Sequence, residues 1–181
     1  MRITGGSLKG FSLVCPPGVI RPAMDKMKES VFSILGDLSE KSFLDLFSGS
    51  GSIALEAASR GARDIELCEK DKIKIPIILK NVSITEKQLG FQIHCHFIST
   101  ELFLQKCKRQ FDFVFFDPPF PYRFHEELLQ TASAKKILSS DGTILMHRPQ
   151  EKKMSDTIGD LQKTDERHYG RSIVDFYKIS N

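Results

Sequence analysis

Asp117-Pro118-Pro119-Phe120 follows directly on the apolar run Phe111–Phe116. Its two prolines fix backbone φ and remove two amide donors. What remains to face a ligand is an acceptor array, the Asp117 carboxylate and the Pro118 carbonyl. An exocyclic amine has two N–H donors to offer such an array. Accepting both draws electron density onto nitrogen and turns its lone pair out of conjugation, toward an electrophile such as a sulfonium methyl. Phe120 offers a flat surface on which a base can stack, an interaction of roughly 1–3 kcal/mol. Chemistry of this kind needs alignment and charge placement rather than a metal or a covalent enzyme intermediate. The surplus proton can leave after transfer, so no strong general base is required. The competing reading of the four residues is a rigid turn. Their place after a buried strand, about seventy residues beyond a glycine-rich loop, favours a catalytic site made of Asp117, Pro118, Pro119 and Phe120.

That loop is Asp45-Leu46-Phe47-Ser48-Gly49-Ser50-Gly51. Glycines at a strand-to-helix turn let the backbone approach a ligand where a side chain would collide. Glu69 stands twenty residues after Gly49, at the end of the next strand, where a carboxylate can accept both hydroxyl protons of a ribose. The bland alternative is a tight turn with a solvated glutamate. Gly49-x-Gly51-x-x-Ala54 also satisfies the dinucleotide fingerprint, which keeps NAD in competition. Against NAD, Asp45 precedes the loop within the strand; its charge suits an ammonium group and would repel a pyrophosphate. The ligand favoured is therefore adenosyl, held by Asp45, Phe47, Gly49, Ser50, Gly51, Glu69 and Lys70.

These groups need a scaffold, and hydrophobic periodicity supplies one. Residues 1–20 read as a small β-hairpin or irregular arm, punctuated by Gly5-Gly6 and Lys9-Gly10 and ended by Pro16-Pro17-Gly18. A helix is expected from about Asp25 to Leu35, stopped by Gly36. Strands are expected at 43–47, 65–69, 91–98, 111–116 and 142–146. Helices are expected at 52–60, closed by Gly61, at 101–108 and at 126–138, with another running to about Val82 that Pro76 must restart or kink. Two final strands, near 165–168 and 172–179, meet at Gly170 and should be antiparallel. The alternation predicts a Rossmann-like α/β domain: a mostly parallel seven-stranded sheet with helices on both faces and an antiparallel last strand. The expected division is an RNA-facing arm at 1–20 and one catalytic domain at 21–181.

Composition narrows the partners less. Hydrophobic content of 40% and charged content of 27% are those of an ordinary globular protein. The net charge of +3 permits nucleic acid without demanding it. No apolar stretch is long enough to span a bilayer, and the N-terminus lacks the apolar core of a secretory signal, so a cytoplasmic protein is expected. Cys15, Cys68, Cys95 and Cys107 are irregularly spaced and read as reduced thiols. His94-Cys95-His96 on a strand points its two histidines to one face and the cysteine to the other, a poor metal cage.

With these motifs in place the sequence resembles class I methyltransferases of the N6-adenine and N2-guanine type. More closely, it is similar to the RsmD family of bacterial 16S rRNA guanine-N2 methyltransferases. The likeness runs almost end to end: Met1–Gly6 with Lys9-Gly10; Arg21-Pro22 with Asp25, Lys26, Glu29, Phe32 and Leu35; Asp45–Gly51, Glu69 and Asp117–Phe120; and Tyr169-Gly170-Arg171 with Phe176-Tyr177. It implies S-adenosylmethionine as cofactor, 16S rRNA or an assembling small ribosomal subunit as partner, and a monomer without a membrane. It also implies the methionine portion near Asp45, Gly49 and Gly51, ribose on Glu69, and the guanine amine between Asp117 and Pro118 with Phe120 stacked on the base. RNA contacts are expected from Arg2, Lys9, Arg21 and Lys26, with Lys28 a further candidate. Departures from the family pattern are Ala23 for threonine, Pro76 inside a helix, His147-Arg148 where an acidic residue is usual, and Ser99 where an acidic or amide residue usually reads the cofactor adenine. Competing expectations are N6-adenine methylation of DNA, a NAD-dependent oxidoreductase, and a non-catalytic RNA-binding assembly factor.

Overall fold

A computed structural model describes residues 1–16 and 22–180. In chain order the elements are α1 (Pro22–Leu35), β1 (Ser42–Leu46), α2 (Ser52–Ser59), β2 (Asp64–Cys68), α3 (Ile75–Leu89), β3 (His94–His96), α4 (Thr100–Lys106), β4 (Phe111–Phe116), α5 (His125–Ala134), β5 (Leu138–Pro149), β6 (Thr157–Ile158), β7 (Leu161–Tyr169) and β8 (Ser172–Ile179). The sheet has eight strands in the order β3-β2-β1-β4-β5-β8-β7-β6. Pairings from β3 through β5 are parallel, and β8 inserts antiparallel between β5 and β7. The expected seven strands become eight through β6, a two-residue strand paired with β7 at Ile158↔Leu161 and too short to leave a periodic signature.

Alternate residues of the central strands go to opposite faces, and both faces are apolar. Phe43, Phe115 and Leu145 join one core with Val31 and Phe32 of α1, Leu55 of α2 and Ile78 of α3. Leu44, Leu46, Val114, Phe116 and Met146 join the other with Leu104 of α4 and Leu128 and Leu129 of α5. A strand buried on both sides is mostly apolar, which is why Phe111–Phe116 reads so clearly despite the partly exposed Asp112 near its start. Among the described residues no helix is long and apolar enough to cross a membrane.

Several boundaries differ from expectation. The third strand contracts to His94–His96, because as the sheet edge it can pair only where β2 runs beside it. α3 starts with Pro76 in its first turn, where a missing N–H costs nothing, and continues past Val82 to Gly90. Burial of Ile78, Asn81, Val82 and Thr85 along one face holds that extension against the weak helix propensity of Ser83 and Thr85. α5 ends at Ala134, and β5 begins at Leu138 rather than Gly142, crossing a register shift against Phe111–Phe113.

The N-terminal arm is a short antiparallel loop closed by the Arg2↔Ser12 bridge. It packs over α2, and this explains why every residue of that helix is buried. Gly6 rests on the end of α2 so closely that a Cβ would lie 1.9 Å from the Ser59 carbonyl oxygen. Beneath the arm, Glu56 accepts from the Thr4 amide and hydroxyl at 2.8 Å each and from Arg60 Nε at 2.8 Å. Lys28 Nζ lies 3.7 Å from Glu56 and donates to the Arg2 carbonyl at 2.6 Å. Lys28 is fully buried, so the expectation that it faces RNA is wrong: its charge is spent on Glu56, Asp25 and the arm. Removing Glu56 leaves the buried Lys28 with only the partly exposed Asp25 as counter-charge. Glu56→Ala will lower unfolding free energy by about 3–5 kcal/mol, read from the denaturant midpoint. A loss below about 1 kcal/mol would mean the arm is held otherwise.

Candidate active site

β1 and β4 are neighbours from which the chain departs in opposite directions along the sheet, and the cleft at their carboxyl ends is where open α/β sheets bind ligands. A cavity of about 1040 Å³ lies there. It is lined by Asp45, Phe47, Gly49, Ser50, Glu69, Lys70, Asp117, Pro119 and Phe120, so the structure gathers both sequence constellations into one site.

The loop after β1 is shaped by three positive φ angles, Phe47 at 63°, Gly49 at 62° and Gly51 at 80°. Gly51 is the left-handed residue that starts α2. Phe47 is not a glycine, and a bulky residue in this region is strained; such strain concentrates at functional sites. Its ring meets Tyr122 edge-on at 5.3 Å. Glu69 braces the loop by accepting from the Gly49 amide at 2.9 Å, while its other oxygen accepts from the Asp71 amide at 2.9 Å. Lys74 Nζ stands 3.5 Å from it.

Asp45 is fully buried. Oδ2 accepts from the Ala54 amide at 3.1 Å, and Oδ1 has no partner among the described residues. Burial pushes its carboxyl well above the usual carboxylate range, and the charges of Asp117 and Glu69 push the same way. An orphaned, desolvated carboxylate oxygen in a cavity wall fits a cationic ligand group. A dinucleotide pyrophosphate does not fit it.

Asp117 follows β4, anchored by its amide to the Leu46 carbonyl at 3.1 Å. Its Oδ1 is 2.7 Å from Nδ1 of His147, which sits on β5 directly across from it, one step beyond the Phe116↔Met146 pair. Pro118 is buried and Phe120 is 45% exposed at the cavity mouth.

Other expected site residues fall elsewhere. Ser99 does not line the cavity; its hydroxyl caps α4 by accepting from the Leu102 amide at 3.3 Å, the usual role of a serine ahead of a helix. Arg2, Lys9 and Lys26 are exposed on or beside the arm. Arg21 lies outside the described residues. His96 is engaged by Glu66 at 2.7 Å. Burial raises the Cys68 thiol to about 12 and the Cys95 thiol to about 11, so neither supplies a thiolate.

Sequence reasoning missed Tyr122, Lys74 and His147, and the contribution of Met1, Pro16 and Met24 to the wall. Tyr122, two residues past the motif, donates to Glu101 at 2.7 Å and could have been noticed by proximity. His147 carried only the signal of an unusual residue at the end of a strand.

A parallel β3-β2-β1-β4-β5 sheet followed by an antiparallel β8, with acidic residues at the ends of β1, β2 and β4, defines a class I methyltransferase. An all-parallel dinucleotide-binding sheet lacks that inserted strand. The pattern of the family described as Conserved hypothetical protein 95 matches residues 1–178. The "Putative rRNA methyltransferase YlbH" of Bacillus subtilis is 33% identical over 98% of both chains. Ribosomal RNA small subunit methyltransferase D of Escherichia coli K12 is 31% identical over 80% of this chain and 72% of its own. The solved "Putative methyltransferase yhhF" of Escherichia coli superposes with a TM-score of 0.88 at 25% identity, covering 99% of this chain and 98% of that one. The chain belongs to this RsmD-type family.

Proposed function

We propose that this protein transfers a methyl group from S-adenosylmethionine to the exocyclic N2 of a guanine in small-subunit rRNA. The observation that carries the reading is the convergence of Asp45, Glu69 and Asp117 on one cavity with a partly exposed Phe120 at its mouth. The rRNA relatives support the substrate class.

Bound cofactor supplies an electrophilic methyl on a sulfonium, which leaves as a neutral thioether. Asp45 would balance positive charge on the methionine portion, and the Gly49–Gly51 backbone would help to hold it. Glu69, already held by two amides, retains lone pairs for the ribose hydroxyls. Phe47, Ser50 and Lys70 complete that wall. Asp117 and the Pro118 carbonyl accept the two amine hydrogens, and Phe120 stacks on the base. During methyl transfer the amine nitrogen would gain positive charge, which the Asp117 carboxylate beside it would stabilise. It then releases one proton to water. Arg2, Lys9, Lys26 and Arg21 would meet phosphates, contacts that weaken as salt rises.

Mapping modified nucleosides by mass in small-subunit rRNA from cells lacking the protein tests this directly. One N2-methylguanosine should vanish and return on complementation. If every N2-methylguanosine persists, the rRNA assignment fails. Labelled methyl transfer into rRNA, small subunits and duplex DNA separates the DNA alternative, which requires incorporation into DNA alone.

A further inference from the structure

His147 is 4% exposed, yet it borders the cavity and also a neighbouring depression of about 340 Å³ that it shares with Phe120, Met24 and Tyr169. Its ring approaches Phe120 at 6.3 Å between centroids, inclined by 65°. The 2.7 Å contact with Asp117 fixes the tautomer: a carboxylate only accepts, so Nδ1 carries the hydrogen. In the neutral ring Nε2 is then a bare acceptor. It is buried and has no partner among the described residues. An unpaired polar atom so deeply buried is costly unless a ligand completes it.

The two candidate bases differ at the atom beside their exocyclic amine. In guanine, ring nitrogen N1 carries a hydrogen next to N2; in adenine, N1 next to the amine is an acceptor. We propose that His147 is a specificity-determining residue: its Nε2 accepts the N1 hydrogen of guanine while its Nδ1–H holds Asp117 beside N2. This rests on the amine-methylating reading above, and it adds a reason for guanine rather than adenine. Adenine would set two acceptors face to face, leaving both unpaired in a desolvated site.

The test uses the wild-type enzyme and RNA ligated to carry either guanine or 2-aminopurine at the mapped position. 2-Aminopurine keeps the 2-amine and lacks the N1 hydrogen. Wild-type single-turnover rates should favour guanine by about 10- to 100-fold, the scale set by leaving one buried acceptor unpaired. In His147→Phe both rates should fall with the lost Asp117 contact, but the guanine rate should fall further, collapsing the preference to within about 3-fold. His147→Asn keeps a donor near Nδ1 and lacks the distal acceptor. It should show the same collapse with a smaller loss of rate, and calorimetry with S-adenosylmethionine should confirm that both variants bind cofactor as the wild type does. Equal rate losses on both RNAs, or a wild type indifferent to the two bases, would overturn the assignment. A wild type that methylates neither RNA would instead overturn the reaction itself.

Discussion

Asp117→Ala will reduce the single-turnover methylation rate by about 10²- to 10³-fold, the range seen when one preorganised polar group at a developing charge is removed. The carboxylate has two tasks that alanine cannot perform. In the proposed reaction it accepts an amine hydrogen, which keeps the nitrogen lone pair available, and it stabilises the positive charge that grows on that nitrogen. The variant also strands the Nδ1–H of His147, whose bond to Asp117 is buried on the histidine side. Affinity for S-adenosylmethionine should stay within about 3-fold, because the interaction is made mainly in the transition state. Asp117→Asn keeps one acceptor oxygen and should lose about 10-fold, the loss expected for weakening one charge-assisted hydrogen bond. A fall in cofactor affinity matching the fall in rate would make Asp117 a cofactor ligand instead.

Asp45→Asn should weaken S-adenosylmethionine binding by about 10- to 100-fold, the cost of turning a charged hydrogen-bond acceptor into a neutral one. The same change should raise the melting temperature of the cofactor-free protein. The reason for the second effect is burial: the Asp45 carboxyl is pushed above its usual range, so ionising it opposes folding. A group whose folded pKa is raised contributes stability that is fully present below the unfolded value. That stability is lost as pH rises through the folded one. Stability of the wild-type apoprotein should therefore decline across that interval relative to Asp45→Asn. A cationic cofactor restores the ionised form, so binding releases a proton. Wild-type affinity should be highest above the free-state pKa and fall as pH drops below it, whereas the variant should lack this component. Calorimetry in buffers of different ionisation enthalpy measures the proton released. No proton release, with unchanged affinity in the variant, would remove Asp45 from the cofactor site.

Strand β4 was legible to the residue because most of it is buried on both faces and only Asp112 interrupts its apolar run. Gly170 joining two antiparallel strands was equally plain, since it takes φ +63° at a tight turn. The third strand and the far end of α3 were misjudged because their limits depend on neighbours: β3 stops where β2 stops pairing, and α3 persists where its buried face finds a core. Ser99 illustrates the same limit at the site. A serine ahead of a helix can cap it or face a ligand, and local sequence does not distinguish these uses. Lys28 was misplaced for a related reason. Lysines are mostly exposed, and only the arm folding over α2 encloses this one with a carboxylate.

The sequence by itself determined the chemistry available at Asp117-Pro118-Pro119-Phe120. Proline geometry, an acidic side chain and an aromatic face are local properties that survive in any fold placing them after a buried strand. It also determined the glycine loop and Glu69, because the spacing of a β-α-β unit is set by the lengths of its elements. What the tertiary structure decided was the company these residues keep. Asp45 lost its solvent and kept one oxygen unpaired, and His147 came to stand against Asp117 thirty residues away in sequence. Parallel pairing of β4 with β5 made that contact, and hydrogen-bond register between distant strands follows from packing the whole sheet rather than from either strand alone.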